Sequence, residues 1–255
     1  MITDCLKDEI RELYPNIDNC IWHKQSEKPI GSGVKAVVYR VCCGDLNNCN
    51  FAAKVIKRKM NDVQQFYNTV EREVKIHKKF AEIGLGPSIK QAFICEKEAV
   101  IVMDRIDTNV KDYIEYIKNN WIDEDDINDE INKLEREYMG MLKKAYEHNL
   151  FHDDLHAENL GMYLNSFGKF KKGTFIDFGE SYEGNKYNIS LNSLENDLRL
   201  TFNMYRKSKV QNRYKSPPKV EKRKGRSILD DLSSPMSRGA LDFTSPAKKL
   251  FDFDD

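Results

Sequence analysis

Along residues 20–57 hydrophobic and polar positions alternate, and short polar turns interrupt them. CIWHKQSEKPIGSG runs into AVVYRVCC, then a GDLNN turn, then NFAAKVIKR. Valine, tyrosine and a period of two predict strands, with Gly-Asp and Asn-Asn turns between them. The expectation is an antiparallel meander. Over residues 62–84 the period changes. Phe66, Val70, Val74, Ile76 and Phe80 recur at near-helical spacing, with Asp62 placed as an N-cap and Gly84 as a stop. QAFICEKEAVIVMDRI predicts two further strands joined by a Glu-Lys-Glu turn. After Asp107 the pattern is helical, in NVKDYIEYIKNN and again in INDEINKLEREYMGMLKKAYEHN. A hairpin over 160–176 and a final helix near SLENDLRLTFNMYRK follow, and residues 3–14 read as a short helix. No internal repeat is visible.

Composition narrows the class. In 255 residues, 40% are hydrophobic and 11% aromatic, enough for a real core in one large domain or two small ones. The 41 basic residues balance 41 acidic ones, so net charge points to no partner. No apolar run approaches the roughly eighteen residues of a membrane span, so no membrane association is expected. The start, MITDCLKDEIREL, lacks the apolar centre of a signal peptide. Cys5, Cys20, Cys42, Cys43, Cys49 and Cys95 are therefore expected as reduced thiols. Paired CxxC knuckles with nearby histidines are missing, which argues against a metal at Cys42, Cys43 and Cys49. Charge is uneven at the end. From Arg206 to Arg226 ten basic residues face one glutamate, a net of +9, and Ser227–Asp255 carries −3, leaving −6 on residues 1–205. With four prolines and many serines, residues 206–255 are expected to be a disordered basic-then-acidic tail.

Candidate chemistry clusters in three places. Gly31 and Gly33, in IGSGVKAVVYRV, sit in a strand–turn–strand setting; a glycine turn lets backbone approach phosphate oxygens, and it is also what a plain hairpin turn contains. Lys54 stands between Ala53 and Val55 in an otherwise apolar strand, so it points into a cleft or lies on a surface. Glu73 shares the helical face of Ile76 and Phe80 and is the preferred ion partner for Lys54, with Glu71 as the fallback. FHDDLHAENLGMY, residues 151–163, packs two histidines, three acids and an asparagine between apolar segments, and Asp177 follows in FIDFGES. A capped, solvated loop explains that polarity, and so does a catalytic loop that binds metal.

Taken in order, these stretches resemble the protein-kinase superfamily. IGSGVKAVVYRV is similar to its glycine-rich loop, FAAKVIK to its lysine strand and EREVKIH to its regulatory helix. VIVMDRID is similar to its hinge, FHDDLHAENL to its catalytic loop and FIDFGES to its Asp-Phe-Gly motif. The likeness spans about residues 22–205. It implies an α+β, two-lobed fold: an antiparallel sheet with one helix in an N-lobe of about 20–104, then a short, mainly helical C-lobe of about 107–205. It implies ATP and Mg2+ as cofactors. Asp177 and Asn159 would ligate magnesium, and Asp154 would accept the acceptor hydroxyl's proton. Lys54, held by Glu73, would grip the phosphates. Gly31, Ser32 and Gly33 would cover them, and Val38, Met103, Asp104 and Ile106 would line the adenine site beside Arg105. His152 matches a histidine that braces the Asp-Phe-Gly backbone.

Departures qualify the likeness. Asp153 replaces an arginine that pairs with a phosphorylated activation loop, and an aspartate there would repel a phosphate. His156 replaces a lysine, and the resulting Asp-Leu-His resembles aminoglycoside- and choline-type kinases. No Ala-Pro-Glu follows Gly179, and Asp197 is placed as the aspartate anchoring the catalytic loop. The outline is similar to minimal atypical kinases, of the RIO type and the KEOPS complex, and to compact kinases of large DNA viruses. The Asn-, Lys- and Ile-rich composition suits such a viral source. An intracellular place, cytoplasmic or nuclear, is expected. In the tail, Ser216, Ser234 and Ser245 precede prolines, and KKLF (248–251) is similar to a cyclin-docking motif. A cyclin or cyclin-dependent kinase is thus one candidate partner beside a protein substrate, against chance in a Ser/Pro-rich linker. KVEKRKGR leaves nucleic acid open as a partner, and FDFDD could dock on a basic groove. Three readings stand: a Ser/Thr protein kinase, a small-molecule kinase, and a pseudokinase scaffold. The complete Lys54, Glu73, Asp154, Asn159 and Asp177 set disfavours the third.

Overall fold

The computed structural model describes residues 2, 5, 10–44, 49–59, 62–121, 123–185 and 189–207, Lys207 by its backbone alone. All belong to a compact unit spanning Met1–Lys222. Of the tail expected over 206–255, Arg206 and Lys207 instead end a helix that begins at Leu191, and the remainder with its motifs, from residue 208 on, lies outside the described residues.

The first half of the chain forms an antiparallel sheet. Its strands are β1 (Arg11–Tyr14), β2 (Trp22–Lys24), β3 (Gly31–Ser32), β4 (Ala36–Cys43), β5 (Phe51–Lys57), β6 (Ile89–Ile94) and β7 (Glu98–Asp104). They run in the order β1-β6-β7-β5-β4-β2, with β3 folded back on β4. Alternation sends successive side chains to opposite faces. Val41, Ala53, Val55, Phe93, Val100 and Val102 bury one face with Trp22. Ile56, Ala92, Ile94, Ala99 and Ile101 bury the other against helix α1 (Val63–Glu82), through Phe66, Val70 and Val74. Asp62 caps α1 by accepting from the Gln64 and Gln65 amides. Gly84, at φ +73°, closes it, with its amide donating to the Ala81 carbonyl.

Two expectations need correction. Residues 11–14 are a strand, not the end of a helix; the remaining described positions of that stretch, 5 and 10, are in neither helix nor strand. The Leu13 and Tyr14 side chains pack beside the α1 face of the sheet, because Arg11, Glu12 and Tyr14 pair with Ile94, Phe93 and Ala92, about eighty residues away. The sheet therefore begins before residue 20. The cysteines are paired, not reduced: Cys5–Cys95, Cys20–Cys43 and Cys42–Cys49 are disulfides. Cys5, Cys20 and Cys43, one or both partners of the first two bridges, pack on the sheet face away from α1.

The second half is mainly helical. It comprises β8 (Thr108–Asn109), α2 (Val110–Asn120), α3 (Glu124–Glu147), β9 (Leu150–Phe151), β10 (Leu160–Leu164), β11 (Phe170–Phe175), β12 (Tyr182–Glu183) and α4 (Leu191–Lys207). Tyr113, Ile117, Leu134, Tyr138, Phe175, Leu198 and Phe202 lie in its core. Strands β11-β10-β8 form a small sheet over α3, and β12 pairs with β9. The hairpin expected over 160–176 is β10–β11. No described helix is long and apolar enough to cross a membrane.

Candidate active site

Lys54 lies in mid-sheet, across from Val38 on β4 and Ile101 on β7. Its side chain takes the α1 side, where Glu73 is 6% exposed. The Lys54 ammonium meets Glu73 Oε1 at 2.6 Å and Asp177 Oδ1 at 2.6 Å. Glu71, the fallback partner, pairs instead with Arg11 at 2.7 Å. Burial by itself would lower the Lys54 pKa, but the Glu73 and Asp177 carboxylates outweigh it and hold the amine above its ordinary value. Burial by itself would raise Asp177; the Lys54 charge and hydrogen bond, with the Gly179 amide, hold it below the usual carboxylate value. Both shifts favour the charged forms of Lys54 and Asp177. Removing one member leaves an uncompensated charge in a largely dry place.

Asp177 is in the left-handed region at φ +60°, which costs a residue with a Cβ about 1–3 kcal/mol. Its neighbours fix it there. The Ile176 amide donates to the Asn159 carbonyl at 3.0 Å. His152 Nε2 bonds the Ile176 carbonyl at 2.9 Å, and burial pushes the His152 ring's pKa down. Phe178 packs into a ring cluster with Phe80 (4.9 Å), His77 (4.5 Å, stacked) and His152 (5.6 Å). The loop before β10 is a closed turn: Asn159 Nδ2 donates to the Asp154 carbonyl (3.0 Å) and to Asp154 Oδ2 (2.9 Å). His156 Nε2 lies 3.4 Å from the same carboxylate oxygen.

The glycine turn is open. A Cβ at Gly31 would come no nearer than 3.6 Å to Val38, and one at Gly33 no nearer than 3.8 Å to the Ala36 carbonyl. Neither glycine is forced by its own surroundings or by a positive φ. Bare backbone there leaves room for a group to approach from outside. At the hinge, the amides of Asp104, Arg105 and Asp107 are taken by the carbonyls of Ser88, Asn50 and Met162. Between them, the Ile106 side chain reaches the space beside Gly161. Met103 is half-buried at the sheet's cleft end, paired across from Ala52 and Ile89.

Among the described residues no group of three or more His, Cys, Asp or Glu side chains is arranged to hold a metal by itself. The Asp177 carboxylate keeps its second oxygen and half its exposure, and Asn159 adds an amide oxygen, both hard donors that suit Mg2+ shared with a phosphate.

Asp197 does not take the place expected for it. It is exposed, and a tie from α4 to the loop before β10 comes from Thr201, one turn later, whose hydroxyl donates to the Leu155 carbonyl at 3.1 Å. His77 was also not singled out, although its spacing of one turn from Glu73 puts it on the same buried face.

Residues 24–226 match the protein kinase domain family, and the chain belongs to that family. No curated protein matches the sequence.

Proposed function

We propose that the chain is a Ser/Thr protein kinase that transfers the γ-phosphoryl group of Mg–ATP to a hydroxyl. The observation that carries this reading is Lys54 held at 2.6 Å from both Glu73 and Asp177, three residues distant in sequence and joined at one point. Lys54 binds the α- and β-phosphates, and Glu73 fixes its direction. Gly31, Ser32 and Gly33 cover the phosphates with backbone. Val38 and Met103 wall the adenine, which bonds to the backbone of Asp104 and to the Ile106 amide. Asp177 and Asn159 would hold the ion, which would supply positive charge against the triphosphate. The acceptor oxygen attacks the γ-phosphorus, the bond to the bridging oxygen breaks, and ADP leaves. The hydroxyl proton passes to the Asp154 carboxylate. Residues 180–190 alone separate Gly179 from α4, which suits a minimal, atypical subtype.

His156, beside Asp154 where protein kinases more often carry lysine, favours a second reading, a small-molecule kinase on the same fold. Purified protein is incubated with radiolabelled ATP, Mg2+, general protein substrates and a panel of small alcohols. Labelled protein is expected, and Lys54→Ala or Asp177→Ala should each reduce it about 100-fold or more. Label confined to a small alcohol would establish the second reading. Absence of any ATP-induced thermal shift in the wild type would remove both.

A further inference from the structure

Four cations of the sheet and α1 contact one short segment that follows Ile176. Lys54 meets Asp177. Arg72 Nη2 donates to the Gly179 carbonyl at 3.0 Å. Lys35, in the turn between β3 and β4, meets Glu180 Oε1 at 2.6 Å. Lys79 meets Glu183 Oε2 at 2.5 Å. Arg72 and Lys79 are two helical turns apart and so share a face of α1. We propose that Arg72, Lys79 and Lys35 are positioning residues. They dock residues 179–183 onto the N-lobe through this segment's own backbone and carboxylates, so that Asp177 is set for catalysis without phosphorylation of the segment. This rests on the kinase reading above.

The backbone explains why such docking is needed. Asp177 sits at a positive φ, a conformation that persists only when its surroundings over-determine it. On its N-terminal side the Ile176 amide and carbonyl are both fixed. On the C-terminal side the buried Phe178 ring packs on Phe80, His77 and His152; Arg72 at Gly179 is the first polar tie to another element, and Glu180 and Glu183 extend it. Beyond it, β12 pairs with β9 at two positions, the Tyr182 ring stacks on Phe151 at 5.4 Å, and the Gly184 amide donates to the Asn149 carbonyl at 3.0 Å. The ion pairs depress both glutamates, Glu180 through its Lys35 hydrogen bond and Glu183 through Lys79. A phosphate placed here would meet Asp153, whose charge adds to burial in raising the Tyr182 pKa, and would compete with carboxylates already seated. Each pair is partly exposed and weak by itself, so the docking should also loosen with salt.

The test is a charge swap in the full chain. Phosphate-free wild type, checked by intact mass, should carry full activity. In Lys79→Glu, amides of residues 178–184 should exchange hydrogen about fivefold faster, the size of one exposed pair. The turnover number should fall by a similar factor, and the Mg2+ needed for half-maximal rate should rise. Lys79→Glu combined with Glu183→Lys should restore all three, which a packing role for the lysine stem would not allow. Unchanged exchange in Lys79→Glu, failure of the swap to restore it, or dependence on phosphate in the segment would overturn the proposal. If wild type transfers no phosphate at all, the kinase reading fails, while the exchange measurements still decide whether these contacts dock the segment.

Discussion

Lowering the pH should destabilise this protein through His77. The residue lies on α1 one turn beyond Glu73 and is 2% exposed. Its Nε2 bonds the Pro87 carbonyl at 2.9 Å, and its ring stacks on Phe178. Burial pushes its pKa down to about 4; the Lys54 charge adds to that, and the Pro87 carbonyl opposes it. In the unfolded chain the same ring titrates near ~6.5. Between those values the unfolded state binds a proton that the folded state refuses. Stability is therefore complete above the unfolded pKa and falls as pH drops toward about 4. Two-state linkage gives a loss of about 2 kcal/mol between pH 7.5 and pH 5. The assay is urea unfolding of wild type and His77→Leu at both pH values. The variant loses the Pro87 bond equally at both, so its offset cancels in the comparison. His152, depressed in the same direction, cancels as well, being present in both proteins. Wild type should lose about 2 kcal/mol more than the variant on acidification. Equal losses in the two proteins would refute the reasoning.

Two further outcomes follow from packing and cross-links. Alkylation without reductant should modify no cysteine. Reduction should lower stability by about 2–5 kcal/mol per long-range bridge, most through Cys5–Cys95, whose partners are 90 residues apart, as read by urea unfolding with and without dithiothreitol. Gly173→Ala should cost about 1–3 kcal/mol, because its Cβ would lie 2.8 Å from Met141 Sδ and 3.1 Å from the Tyr138 ring. The methionine can yield, but Tyr138 is fixed by its hydroxyl bond to the Gly161 carbonyl, and thermal unfolding reads the difference.

Local pattern disclosed the elements whose partners are near in sequence. The meander, the cap and stop of α1 and the β10–β11 hairpin each depend on neighbours within a few residues, and each was legible. What depends on distant partners was not. In residues 6–13, Leu6, Ile10 and Leu13 keep a helical period, yet pairing with β6 makes 11–14 a strand; tertiary context overrides propensity at an edge. Cysteine spacing carries no trace of a bridge between Cys5 and Cys95. Lys54, Glu73 and Asp177 could be placed together only through ordered motifs. Thr201 was missed because a polar residue's phase on a helix does not say which loop it faces.

The polar residues inside the cleft are hard to explain by stability. A buried ion pair stabilises little, and apolar replacements of similar volume are often neutral or better. Lys54 and Glu73 occupy positions flanked by Ala53, Val55, Val74 and Ile76, where a leucine or methionine would continue the core. His77 and His152 are held neutral at the expense of stability in acid. Asp177 occupies a backbone conformation that glycine would adopt without strain. Packing alone favours none of these choices, yet Lys54, Glu73 and Asp177 meet at one point, with His77 and His152 packed on Phe178 beside it. Residues that a fold does not need, gathered at one place, are the mark of a site, and the glycine turn left bare above it agrees.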